Sequence, residues 1–233
     1  RQHLERYKTV MPLGSLSTKF VYGGNQSLDA VRGGPARVDD RKVLPSYAPS
    51  TIMKTPKFAP IFRRDLRKMV RHHKDELDWV DPVVHFNPTY EVAKDYFERV
   101  KGQPLAYDVE TDGIDCLTTD LRCIGIGTVH EVLMIGFVSI DGVKRFYHAD
   151  EEMWMKYLLR DVFTDPEHLK VGHNAGYFDR LVVEQHLGVT PEPLLDTILL
   201  HKLASSEHRH SLGFIGSFLT DVPAWKADHT GVV

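Results

Sequence analysis

Sulfur cannot hold this chain together: among 233 residues there are two cysteines, Cys116 and Cys123. They fall in an expected loop and the strand after it, without the repeated pairs of a disulfide framework or zinc site, so a reducing compartment is expected. No apolar run reaches membrane-spanning length and no signal-peptide pattern opens the sequence, which predicts a soluble, unexported, cytoplasmic protein without a membrane partner. Neither sign of charge is in large excess, with 29 basic and 32 acidic residues. A net charge of -3 gives no general pull toward polyanions, so any nucleic-acid binding has to come from local groups. There is no internal repeat or low-complexity tract. The chain starts at Arg1 rather than Met, which suggests a piece of something longer.

What is present reads as an α/β protein of one or two domains. Val10–Gly14 and Lys42–Tyr47 have the character of short buried strands, and Ser17–Tyr22 that of a helix. In Phe62–Arg71 the apolar Phe62, Leu66, Met69 and Val70 recur at helical spacing, and the basic residues between them read as a solvated face. The polar stretch His72–Asp78 reads as a linker, dividing a domain of residues 1–74 from one of 75–233. Beyond it come a helix over Thr89–Val100 closed by Gly102, strands at Leu105–Glu110, Leu121–Thr128 and Val132–Val138, a helix over Glu151–Phe163, a strand at Leu169–Gly172, and helices over Tyr177–Leu187 and Leu195–Ala204. Three adjacent strands followed by alternating helix and strand predict a mixed sheet with helices on both faces. The aromatic residues Phe146, Tyr147 and Trp154–Tyr157 are expected in the core, and the thirteen histidines in solvated or loop positions.

The chemistry is concentrated in Asp108-Val-Glu110-Thr111-Asp112-Gly113. Residues i and i+2 of a strand share a face, so Asp108 and Glu110 converge on one patch, and oxygen-only ligands suit a hard divalent cation. A solvated strand end would show the same pair. The second element is His173-Asn174-Ala-Gly-Tyr-Phe178-Asp179, where a buried strand gives way to a helix. Ligands of α/β sheets collect at that carboxyl edge, so Asp179 is expected to approach the same cation and Asn174 to hold the turn or a sugar. Ordinary helix capping remains an alternative for either residue.

Together, Tyr107-Asp-Val-Glu-Thr-Asp-Gly, Gly172-His-Asn174 through Asp179, and Leu195-Asp196-Thr197-Ile-Leu-Leu-His resemble the DEDD superfamily of 3'-5' exonucleases. The likeness is strongest to the proofreading domain of family A, notably phage, DNA polymerases. It implies an RNase H-like fold and two-metal hydrolysis of phosphodiesters at single-stranded DNA 3' ends, using two Mg²⁺ or Mn²⁺ ions about 4 Å apart. Carried over by position, Asp108, Glu110 and Asp179 are catalytic metal-binding acids, Thr111 and Ile114 touch the terminal nucleotide, and Asn174 is the motif's asparagine. Asp196 stands outside the metal set as a helix-start residue that shapes the fold. A C-terminal polymerase domain or a complementary polypeptide is the implied partner, in a host-cell cytoplasm if a phage carries the gene.

The family's fourth acid, in a Tyr-x-x-x-Asp or His-x-x-x-x-Asp motif, has no counterpart after Asp196. His201, His208 and His210 lack Asp at the required spacing, and Asp228 has no suitable partner before it. The exonuclease domain is therefore expected to be C-terminally truncated and weak or inactive alone. Residues 5–72, through Leu13-Gly14-Ser, Val31-Arg-Gly33 and Leu44-Pro-Ser-Tyr-Ala48-Pro-Ser50, resemble the C-terminal half of uracil-DNA glycosylases, with Ala48 where that family has a catalytic His. A partial, non-catalytic glycosylase-like segment ahead of the exonuclease is expected. The competing reading is a non-catalytic DNA-binding module in a replication or repair protein.

Overall fold

The computed structural model describes residues 6–24 and 26–224, and two compact units divide the chain. The first unit is discontinuous in sequence, comprising Arg1–Trp79 and Ser205–Val233, while Val80–Ala204 forms the second. The sequence places everything from residue 75 onward in one domain. In the structure the segment from Ser205 makes its contacts with Arg1–Trp79, through polar side chains and a shared apolar core.

In the first unit a three-stranded sheet has the order β1-β3-β2, from β1 (Thr9–Val10), β2 (Ala36–Val38) and β3 (Arg41–Val43). Asp39 and Asp40, both at positive φ, turn β2 into β3; adjacent left-handed residues are what a tight hairpin needs. Helices α1 (Ser15–Tyr22), α2 (Leu28–Val31), α3 (Pro49–Lys54) and α4 (Ala59–His73) follow in chain order, with α9 (Leu212–Leu219) joining from the far end of the chain. Leu28, Tyr47, Ile61 and Phe214 make the buried core of this unit.

α4 does not bury the face expected of it. Leu66 and Val70 are exposed, whereas Ile61, Asp65, Lys68, Met69 and His72 are buried. The buried polar groups are satisfied. Arg32 pairs with Asp65 at 3.1 Å, Ser46 donates to Asp65, and Lys68 Nζ donates to the carbonyls of Gly33, Ser217 and Thr220. Arg64 donates to Leu219 O, and Arg71 pairs with Asp221 at 2.6 Å. Lys68 and Arg64 thus cap the orphan carbonyls at the end of α9, where a helix favours positive charge. Basic residues read as a solvated face therefore secure the C-terminal segment. His72, read as linker, lies within α4 with its ring near Ala36 O, and His168 and His201 are also buried. Asp228 lies outside the described residues.

The second unit is built on a six-stranded mixed sheet of order β4-β7-β6-β5-β8-β9 flanked by helices, the RNase H-like α/β arrangement expected. Its strands are β4 (Val83–Phe86), β5 (Leu105–Thr111), β6 (Leu121–Gly127), β7 (Glu131–Gly136), β8 (Lys170–Gly172) and β9 (Leu194–Asp196). β5, β6 and β7 pair antiparallel, while β5, β8 and β9 run parallel. Helices α5 (Tyr90–Arg99), α6 (Ala149–Thr164) and α7 (Phe178–Leu187) share one apolar core with the strands. Leu105, Tyr107 and Val109 of β5 enter that core, and Ala106, Asp108 and Glu110 between them are exposed, as the period of two requires. β4 and β9 are absent from the sequence reading, which ran Leu195 straight into α8 (Thr197–Ala204). Trp154 and Tyr157, expected in the core, are about half exposed on α6, because Met155, Leu159, Val162 and Phe163 supply its buried stripe.

Candidate active site

β5 ends in a register shift between Glu110 and Thr111, a bulge of the kind that re-aims side chains beside functional sites. The loop beyond is braced. Asp112 Oδ1 accepts from Thr119 Oγ1 at 2.8 Å and from the Asp120 N–H at 2.7 Å, Gly113 N donates to Thr119 Oγ1, and Thr111 Oγ1 donates to Gly113 O. His186 and Gln185 of α7 contact the carbonyls of Thr119 and Leu117, tying the loop to that helix. Ile114 at its tip is 97 % exposed.

β8 pairs with β5 only at Leu105 and Ala106, so the N–H groups further along β5 have no strand partner on that side. Asp179, in the first turn of α7, fills the gap: its Oδ1 accepts from the Val109 N–H at 3.0 Å, at the residue between Asp108 and Glu110. Asp179 is 7 % exposed. Burial pushes its pKa up, the Val109 hydrogen bond lowers it, and the negative charge of Asp108 raises it further. On the adjacent strand Cys123 faces Glu110 and Gly125 faces Asp108. The Cys123 thiol is pushed up by burial and by both carboxylates.

The turn carrying Asp179 is held by Asp196. Its Oδ1 accepts from the N–H groups of Asn174 at 2.9 Å and Ile198 at 3.0 Å, and its Oδ2 from Gly176 at 3.1 Å. Burial alone would raise the Asp196 pKa, but these donors outweigh it and hold the group low. Asp196 thereby fixes the shape of this turn. Asn174 adopts a left-handed φ of 65°, tolerable for its short amide, and contributes its backbone N–H to the turn.

The structure therefore brings Asp179 onto the strand of Asp108 and Glu110, but does not gather the three around one point. Among the described residues no three His, Cys, Asp or Glu side chains are close enough to hold a metal ion. Asp179 is engaged with the backbone of β5, while Asp108 and Glu110 stand on its exposed face. In chemistry the donors still fit a hard cation, being all oxygen, with mutual repulsion that a cation would relieve. The sequence reading missed the Asp112–Thr119 brace, whose donors lie seven and eight residues beyond Asp112, out of reach of a local turn signal.

The chain is similar to several known proteins. A DNA polymerase of Bacillus phage SP01 is 24% identical, matching 87% of this chain and 24% of its own length, so the chain spans about a quarter of that relative. Among solved structures, Brucella melitensis NrnC is 22% identical with a TM-score of 0.43, covering 62% of this chain and 63% of its own. Escherichia coli RNase D is 21% identical with a TM-score of 0.41, covering 56% and 31%. These matches do not support the uracil-DNA glycosylase likeness read from residues 5–72. Residues 85–228 match the 3'-5' exonuclease family, a span that takes in β5, α7 and all three acids, and the chain belongs to that family.

Proposed function

We propose that this chain is the proofreading exonuclease region of a DNA polymerase, removing nucleotides from single-stranded DNA 3' ends. The observation that carries the reading is the docking of Asp179 on the β5 backbone between Asp108 and Glu110. Asp108, Glu110 and Asp179 would hold two Mg²⁺ or Mn²⁺ ions, which when bound lower the pKa of water and stabilise the attacking and leaving oxygens. The chain's own groups do the rest. Thr111 and Ile114 border the terminal nucleotide, and Asn174 stands in the turn that fixes Asp179. A polymerase domain or a complementary polypeptide is the partner in this reading. Ala48 occupies the N-cap position of α3 without a side-chain hydrogen bond, and its methyl group has no proton to donate, so the N-terminal unit is assigned no glycosylase chemistry.

A second reading, a nucleic-acid-binding module without catalysis, is favoured by the lack of a gathered metal-ligand triad among the described residues. Incubating the chain with 5'-labelled single-stranded DNA and RNA, in Mg²⁺, Mn²⁺ or EDTA, separates the two. Metal-dependent shortening from the 3' end of DNA, lowered by about 10²–10³-fold or more in Asp108→Ala and Glu110→Ala, is the expected result. Binding without shortening selects the module, and preferential shortening of RNA reassigns the substrate.

A further inference from the structure

The turn between β8 and α7 sets Tyr177 apart from its neighbours. Phe178 packs against the core, whereas Tyr177 directs its ring outward and is 70 % exposed, two residues from Asp179. The backbone beneath it is immobilised. Asp196 holds the N–H groups of Asn174 and Gly176, Arg180 N donates to Ala175 O at 3.0 Å, and Ala175 is buried. A ring with two side-chain torsions on a fixed turn loses little entropy when a flat ligand covers it. The surrounding charge decides which part of a nucleotide that would be. Asp179, two residues on, and Asp196, whose Oδ2 accepts from the adjacent Gly176 N–H, make this turn carboxylate-rich, which disfavours a phosphate at the neutral ring but not a base.

We propose that Tyr177 is a base-stacking residue for the single strand whose 3' terminus lies at Asp108, Glu110 and Asp179. The inference rests on the nuclease reading above and adds the contact that grips the strand. Every base offers a π-face, so the grip is indifferent to sequence.

Binding of fluorescent single-stranded oligonucleotides to the full chain tests this, in EDTA and in Ca²⁺, with intact strands and strands abasic at one of the last three 3' positions. Tyr177→Ala should weaken intact-strand binding by about 5- to 150-fold, and Tyr177→Phe should bind within about twofold of the parent. One abasic position should weaken the parent by a similar factor and leave Tyr177→Ala unaffected. Equal affinity of the alanine variant, a loss that persists at every abasic position, or no oligonucleotide binding by the parent overturns the proposal. A parent that binds with this pattern yet never shortens DNA in Mg²⁺ overturns the nuclease reading and leaves Tyr177 assigned. Unchanged urea midpoints of the variants exclude misfolding as the cause.

Discussion

Asp65 is fully buried and serves Arg32 and Ser46 at once. Burial raises its pKa against the pull of Arg32, so its ionised form depends on these partners. Asp65→Ala would leave a buried guanidinium without its counter-ion, and a urea titration should show a loss of about 3–5 kcal/mol. Lys68 gives a pH signature. Burial, outweighing the attraction of Asp65 and Asp221, lowers its pKa from 10.5 to about 8. Between those values the unfolded chain keeps a proton that the folded chain has lost, so this group makes stability rise with pH. Stability measured from pH 7.5 to 9.5 should climb more steeply for the parent than for Lys68→Met; parallel curves would refute the shift. At this scale the sequence was most informative at the carboxylates. Asp108 and Glu110 share a face because a strand allows nothing else, whereas Asp65 and Lys68 were hidden because their partners lie up to 152 residues away along the chain.

Among the elements, the β8–α7 turn depends on one carboxylate and one small residue. Asp196→Ala removes the acceptor of three backbone N–H groups, so the amides of Asn174, Gly176 and Ile198 should exchange at least tenfold faster. Unchanged protection would mean that the turn stands without Asp196. A Cβ at Gly172 would lie 2.2 Å from the Ala175 Cβ, and neither group can rotate away. Gly172→Ala should therefore cost about 1–3 kcal/mol and lower nuclease activity by displacing Asp179. Helices with a clear apolar stripe, such as α5 and α6, were legible to within two residues. β4 and β9 were not, because short strands gain their definition from neighbours: Val83–Phe86 from β7, and Leu194–Asp196 from β8.

For the whole molecule, a mixed sheet with helices on both faces followed from the order of strand and helix patterns, its RNase H-like character was implied by the family resemblance, and the attachment of the segment after Ala204 left no signal in the sequence. Leu212–Leu219 is an apolar helix with no mark of the unit it joins; the side chains of α4, Arg32 and the core around Phe214 decide that. Hydrogen exchange gives the test. In Asp65→Ala the amides of α9 should lose protection together with those of α4, while those of β5 and β8 keep theirs. Loss confined to α4 would detach α9 from that unit.

The discontinuity of the first unit also has a consequence for synthesis. The 125 residues from Val80 to Ala204 separate its two pieces, and at a typical translation rate they take about 6–25 s to make. Throughout that interval Lys68 lacks the carbonyls of Ser217 and Thr220, and Arg32 lacks the Ser217 hydroxyl. The N-terminal segment leaves the ribosome ahead of Val80–Ala204 yet completes these contacts after it, with the second unit free to form in between.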